Sequence, residues 1–103
     1  MLPVPTHLHT CATDASLDDE LSAAFRGAAG AGADALVVVL PAEARPSREL
    51  VPVIAALARA TPAVSALALV HGSPTLSFLA SSLALQLPGV RVRSAATVET
   101  AGL

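Results

Sequence analysis

The sequence predicts an α/β protein in which strand and helix alternate three times and a fourth strand closes the chain, a β-α-β-α-β-α-β order. About four mostly parallel strands would form one sheet with the helices packed on it. Two short apolar runs, Ala35 to Leu40 and Val64 to Val70, the second with Ser65 as its one polar residue, have the length and content of buried parallel strands. Between them, Leu50, Val51, Val53, Ile54, Leu57 and Ala58 recur at helical spacing on one broad face. The connections are short, and right-handed crossovers between such elements close a compact sheet. Residues 1–103 are one domain by length, with no linker and no internal repeat.

Two prolines hold the first five residues extended, and Thr6 to Ala12 follows as a short strand of weak alternation at a sheet edge. Ser16 with Asp19 resembles a capping box, and Asp18, Asp19 and Glu20 suit a helix N-terminus. Leu17, Leu21, Ala24, Phe25 and Ala28 share a face of this first helix, which the glycines at 27, 30 and 32 loosen and end near residue 31. The run Ala35 to Leu40 is apolar on both faces, the pattern of a central strand with helices on both sides, and Pro41 stops it. Ser47 is the expected N-cap of the second helix, and Pro52 falls in the first turns, where its missing N–H costs little. Pro62 breaks that helix before the second buried strand. Ser73-Pro74 starts a third helix from Thr75 to about Leu87, which Pro88-Gly89 ends. Val90-Arg91-Val92-Arg93 alternates apolar and charged residues, a strand with one wet face.

Hydrophobic residues make up 53% of the chain and charged ones 14%, which excludes disorder as the default. With two Phe and no Trp or Tyr, the core must be built from Ala, Leu and Val. A formal charge of −2 and scattered arginines argue against nucleic acid, whose phosphates need clustered cations. The single cysteine, Cys11, excludes an internal disulfide and fits a reducing compartment. No signal peptide is legible at the N-terminus, and no run of about 20 apolar residues exists to cross a membrane. The cytoplasm is the expected location.

Few residue patterns suggest chemistry. Gly27 to Gly32 is rich in glycine, but it closes a helix and precedes a strand, the wrong end of the helix dipole for a phosphate. His7, His9 and Cys11 fall on one face of the first strand and offer zinc-binding atoms, with His71 and the carboxylates near Asp14 as further candidates. They are read as the polar outer face of an edge strand, and no metal or other cofactor is expected. His71-Gly72-Ser73 lies where a buried strand meets a helix, but no glycine stands two residues after the serine as a nucleophile elbow needs. Capping explains Ser73, and no enzyme activity is expected.

The most informative feature is an absence: residues 60–90 contain no Asp, Glu, Lys or Arg, although they span a strand and a whole helix. A surface helix ordinarily carries charge on its outer face. Leu76, Phe78, Leu79, Leu83, Leu85 and Leu87 instead spread around the third helix, which predicts a contact surface.

From about Leu17 to Glu99 the chain resembles the STAS and SpoIIAA-like domains. The resemblance rests on Ala35 to Leu40 as central strand, the loop and helix from Ser47 to Leu57, the stretch from Ala66 to Pro74, and the close from Leu87 to Val92. One early strand of the usual domain is missing. The resemblance implies a non-enzymatic regulatory domain that docks on a protein partner, often a kinase-like anti-sigma factor, or self-associates as an oligomer. In many members a serine at the start of the helix after the central strand is phosphorylated. Ser47 lies in that loop, preceded by Pro46 and followed by Arg48-Glu49-Leu50, where the family has an Asp before the serine and a small residue and Gly-Leu after it. The expected contact residues are Ser47, Arg48, Leu76, Leu79 and Leu83, with Ser47 as the phosphate acceptor. Because SpoIIAA-like proteins also resemble lipid carriers, small-molecule or lipid binding is the alternative.

Overall fold

The computed structural model of the chain describes residues 5–12 and 16–99. Its elements are β1 (Thr6–Thr10), α1 (Leu17–Gly30), β2 (Ala35–Val39), α2 (Leu50–Arg59), β3 (Ala66–Val70), α3 (Leu76–Gln86) and β4 (Arg91–Ala95). The four strands form one parallel sheet in the order β1-β2-β3-β4. This is the α/β architecture and element order that the sequence predicts.

The strand order has a consequence the sequence pattern does not carry. The chain steps across the sheet always in one direction, so right-handed crossovers place every helix on the same face. One core unites Leu21, Phe25 and Ala28 of α1, Ile54 and Ala55 of α2, and Leu79 and Leu83 of α3 with Leu36, Val38, Leu67 and Leu69 of the sheet. The opposite face carries a small cluster of Val37, Ala68 and Val70, flanked by Val39 and Ala95, with no helix residue among the described ones. The expectation of helices on both sides of Ala35 to Leu40 is therefore corrected. On that second face the register sets Leu8, Val37, Ala68 and Arg93 in one row across the sheet. Small and β-branched side chains in the two central strands fit such a closely packed row.

Local chemistry fixes the element ends. The glycines after α1 form a Schellman cap: Ala33 N–H donates to Ala28 C=O at 2.9 Å and Gly32 N–H to Ala29 C=O at 3.2 Å. Gly32 sits at φ 67°, a conformation that disfavours a side chain. Gly27 serves another purpose, because a Cβ there would lie 2.6 Å from His7 Nε2, so its lack of a side chain leaves room for the His7 ring against α1. After α3, Leu87 to Val90 form a turn with Pro88 followed by Gly89 at φ 92°, closed by Val90 N–H to Leu87 C=O at 3.0 Å. No ionic residue of α3 itself caps its C-terminus. Arg59 at the end of α2 does so, donating to Gln86 C=O at 3.3 Å. Among the described residues no helix is long and apolar enough to cross a membrane.

Candidate functional site

All three βα loops emerge at the C-terminal edge of a parallel sheet, where ligands usually bind in α/β folds. Here the strand order never reverses, so the sheet has no switch-point crevice. The loops meet the helical layer instead, and two places there gather side chains with chemical potential.

The first is a groove of about 430 Å³ between the β2–α2 loop and α3, lined by Pro46, Ser47, Arg48, Thr75, Phe78, Leu79 and Ser82. Neighbouring positions of β2 and β3 bring the two segments together. Of the expected contact residues, Ser47 and Arg48 are exposed and line the groove, and Leu79 lines it while only 4% exposed. Leu76 and Leu83 do not take part, and the expectation that all three leucines form an outer contact face is corrected. At 2% and 0% exposure Leu76 and Leu83 belong to the core, because α3 turns them onto the sheet. The outward apolar residues are Phe78, 75% exposed, and Leu85, 87% exposed. They lie seven residues apart and so on one face. Their apolar nature was visible in the sequence, but with apolar side chains all around α3 no periodicity told inside from outside.

Ser47 also departs from expectation. It is not the N-cap of α2: Glu49 holds that position, and no side chain caps the helix. The carbonyls of Ser47 and Arg48 accept the N–H groups of Leu50 and Val51, both at 3.1 Å, so the chain enters α2 through a tighter turn than a serine-capped start. Before α3, Ser73 Oγ accepts Thr75 N–H at 3.3 Å and lies 2.8 Å from Thr75 Oγ1. Thr75 holds the N-cap position and no side chain caps the helix, so the expected capping role of Ser73 is corrected as well. His71 Nδ1 accepts Ser73 N–H at 3.0 Å, which assigns the imidazole proton to Nε2. That Nε2 is buried without a hydrogen-bond partner.

The second place lies between the end of β1 and the first turns of α1. His9, Cys11 and Glu20 converge, with one donor atom of each within 4.8 Å of the others. The reading of His9 and Cys11 as an outer polar face is corrected: alternation turns them toward α1, and Cys11 is buried in the main core. His7 shares that face but packs against Gly27, about two helical turns further along α1 than Glu20 and outside the cluster. Of the further candidates, His71 is not part of the cluster, Asp14 lies outside the described residues, and the carboxylate that arrives is Glu20. Glu20 accepts Ala12 N–H with one carboxylate oxygen and holds the other 3.6 Å from His9 Nε2. His9 Nε2 is buried and has no hydrogen-bond partner.

Burial, and to a lesser degree the Glu20 carboxylate, pushes the Cys11 thiol from 9.0 up to about 11. Folding thus favours the protonated thiol. As pH rises the unfolded chain loses this proton first, so the contribution is intact below pH 9.0 and is lost on passing through about 11. Thermal melts of the metal-free protein are expected to fall more steeply across that window for the wild type than for Cys11→Ala. Equal slopes would place the thiol in water.

Comparison of the chain with protein-family models, with curated proteins and with solved structures gives no match. The class that the structure shows is that of the fold, an α/β protein with a four-stranded parallel sheet.

Proposed function

We propose that this chain is a non-enzymatic docking domain that pairs with a second copy of itself through α3 and the Ser47 loop. The observation that carries the reading is the pair Phe78 and Leu85, two large apolar side chains on one face of a helix that has no ionic residue. Covering each of them fully would contribute about 1.5–3 kcal/mol to association. A second copy is the favoured occupant because an uncharged stripe meets its own image without like-charge repulsion, and a two-fold interface is self-complementary by construction. The groove beside Phe78 gives the partner's aromatic ring a place to seat. The resemblance to STAS-like regulatory domains supports the same reading. Ser47, exposed on the groove and not used as a helix cap, would let a phosphate act directly on the interface, beside Arg48.

Light scattering across a concentration series tests this. The wild type is expected to rise from 10.3 kDa toward twice that mass. Phe78→Asp is expected to stay monomeric while keeping a native circular dichroism spectrum. A wild type that stays monomeric throughout defeats the proposal, and native mass spectrometry showing a retained amphiphile on that monomer would support lipid binding instead.

A further inference from the structure

We propose that His9, Cys11 and Glu20 form a binding site for one divalent transition-metal ion of zinc type, at the junction of β1 and α1. Imidazole nitrogen, thiolate sulfur and carboxylate oxygen are the three zinc donors of proteins, and here one atom of each lies within 4.8 Å of the others. Zinc–ligand bond lengths and a tetrahedral angle require donor atoms about 3.3–3.6 Å apart. His9 Nε2 and Glu20 Oε2, at 3.6 Å, already have that spacing. Small rotations of side chains bring the sulfur into the same shell.

Two features set the cluster apart from a simple ion pair. His9 Nε2 is closed off from solvent yet has no hydrogen-bond partner, so the ring faces the carboxylate without bonding to it. A dication between the two would satisfy both. In addition, Glu20 is oriented from behind, since Ala12 N–H takes one oxygen and leaves the other toward His9, the arrangement that outer-shell donors give metal ligands. His9 and Glu20 remain partly exposed, 20% and 16% at their side chains, and provide the entry path, while Cys11 anchors the site from the core. The neighbouring carboxylates of Asp18 and Asp19, in the same first turn of α1, add negative potential that favours a cation. Three protein donors leave a fourth position for water or for a donor from a bound molecule.

The test uses the untagged, metal-stripped chain and Co²⁺ or Zn²⁺ alone. Co²⁺ is expected to produce a thiolate charge-transfer band and tetrahedral visible bands that saturate at one equivalent and disappear when Zn²⁺ is added. Cys11→Ser is expected to abolish the charge-transfer band, and His9→Gln and Glu20→Gln to weaken Zn²⁺ binding about tenfold or more. His7→Gln, on the same strand face but outside the cluster, is expected to bind like the wild type. Glu20→Gln changes a partly exposed side chain, so its result stands even if a change at buried Cys11 impairs folding. Absence of saturable one-to-one binding, or an equal loss in His7→Gln, overturns the proposal.

Discussion

Leu83→Asp is expected to leave the chain unfolded at 25 °C, while Phe78→Asp, five residues earlier on the same helix, keeps it folded. Leu83 is 0% exposed and packs in the core between α3 and the sheet. Truncating such a leucine to Ala costs about 2–5 kcal/mol in lost burial and cavity formation. An aspartate adds to that loss a carboxyl group with no hydrogen-bond partner, because the described core contains no buried polar side chain to receive it. A domain of this size holds about 5–15 kcal/mol in all, so the sum consumes most or all of its stability. Phe78 is 75% exposed, and a carboxylate there meets water. Far-UV circular dichroism and urea titration of the two variants read the contrast directly. A cooperative native melt for Leu83→Asp would mean that α3 is rotated from the position described.

Phe25→Ala is expected to destabilise the protein by about 3–5 kcal/mol without changing its secondary structure. The chain has two Phe and no other aromatic residue, and Phe78 lies outside, so Phe25 is the largest fully buried side chain of the described core. Its neighbours on α1, Ala24 and Ala28, are 0% exposed and too small to collapse into the space its ring would leave. A core of Ala, Val and Leu in a fixed helical layer relaxes little, and the cavity term is then close to its maximum. With a denaturant dependence of about 1–3 kcal/mol per molar urea, the unfolding midpoint should fall by roughly 2 M. Phe25→Leu, which keeps most of the volume, should lose substantially less. A shift below about 0.5 M for Phe25→Ala would show that the space is refilled, contrary to the packing described.

Much of the fold was legible because it follows from local chemistry. Unbroken apolar runs mark β2 and β3, helical spacing marks α1 and α2, and Gly32 and Gly89 at positive φ end the helices where glycine alone is comfortable. The N-terminal signals were less reliable. Ser47 looked like a cap, yet the chain enters α2 through backbone bonds that begin at its carbonyl. The groove was half legible: the Ser47 loop and α3 were both singled out, and they do line one groove, but Leu76 and Leu83 point away from it. The cluster of His9, Cys11 and Glu20 was legible only on its strand side. Alternation put His9 and Cys11 on one face, whereas nothing in the spacing between Cys11 and Glu20 reveals that the loop returns Glu20 to that strand.

By itself the sequence determined the order and kind of the elements and the aliphatic character of the core, because each depends on residue types and on residues near one another in the chain. Tertiary structure alone decided which sheet face the helices cover, which side of α3 meets water, and which carboxylate faces His9. Those outcomes depend on strand order and helix rotation, where residues far apart must share one space, and no local period encodes them.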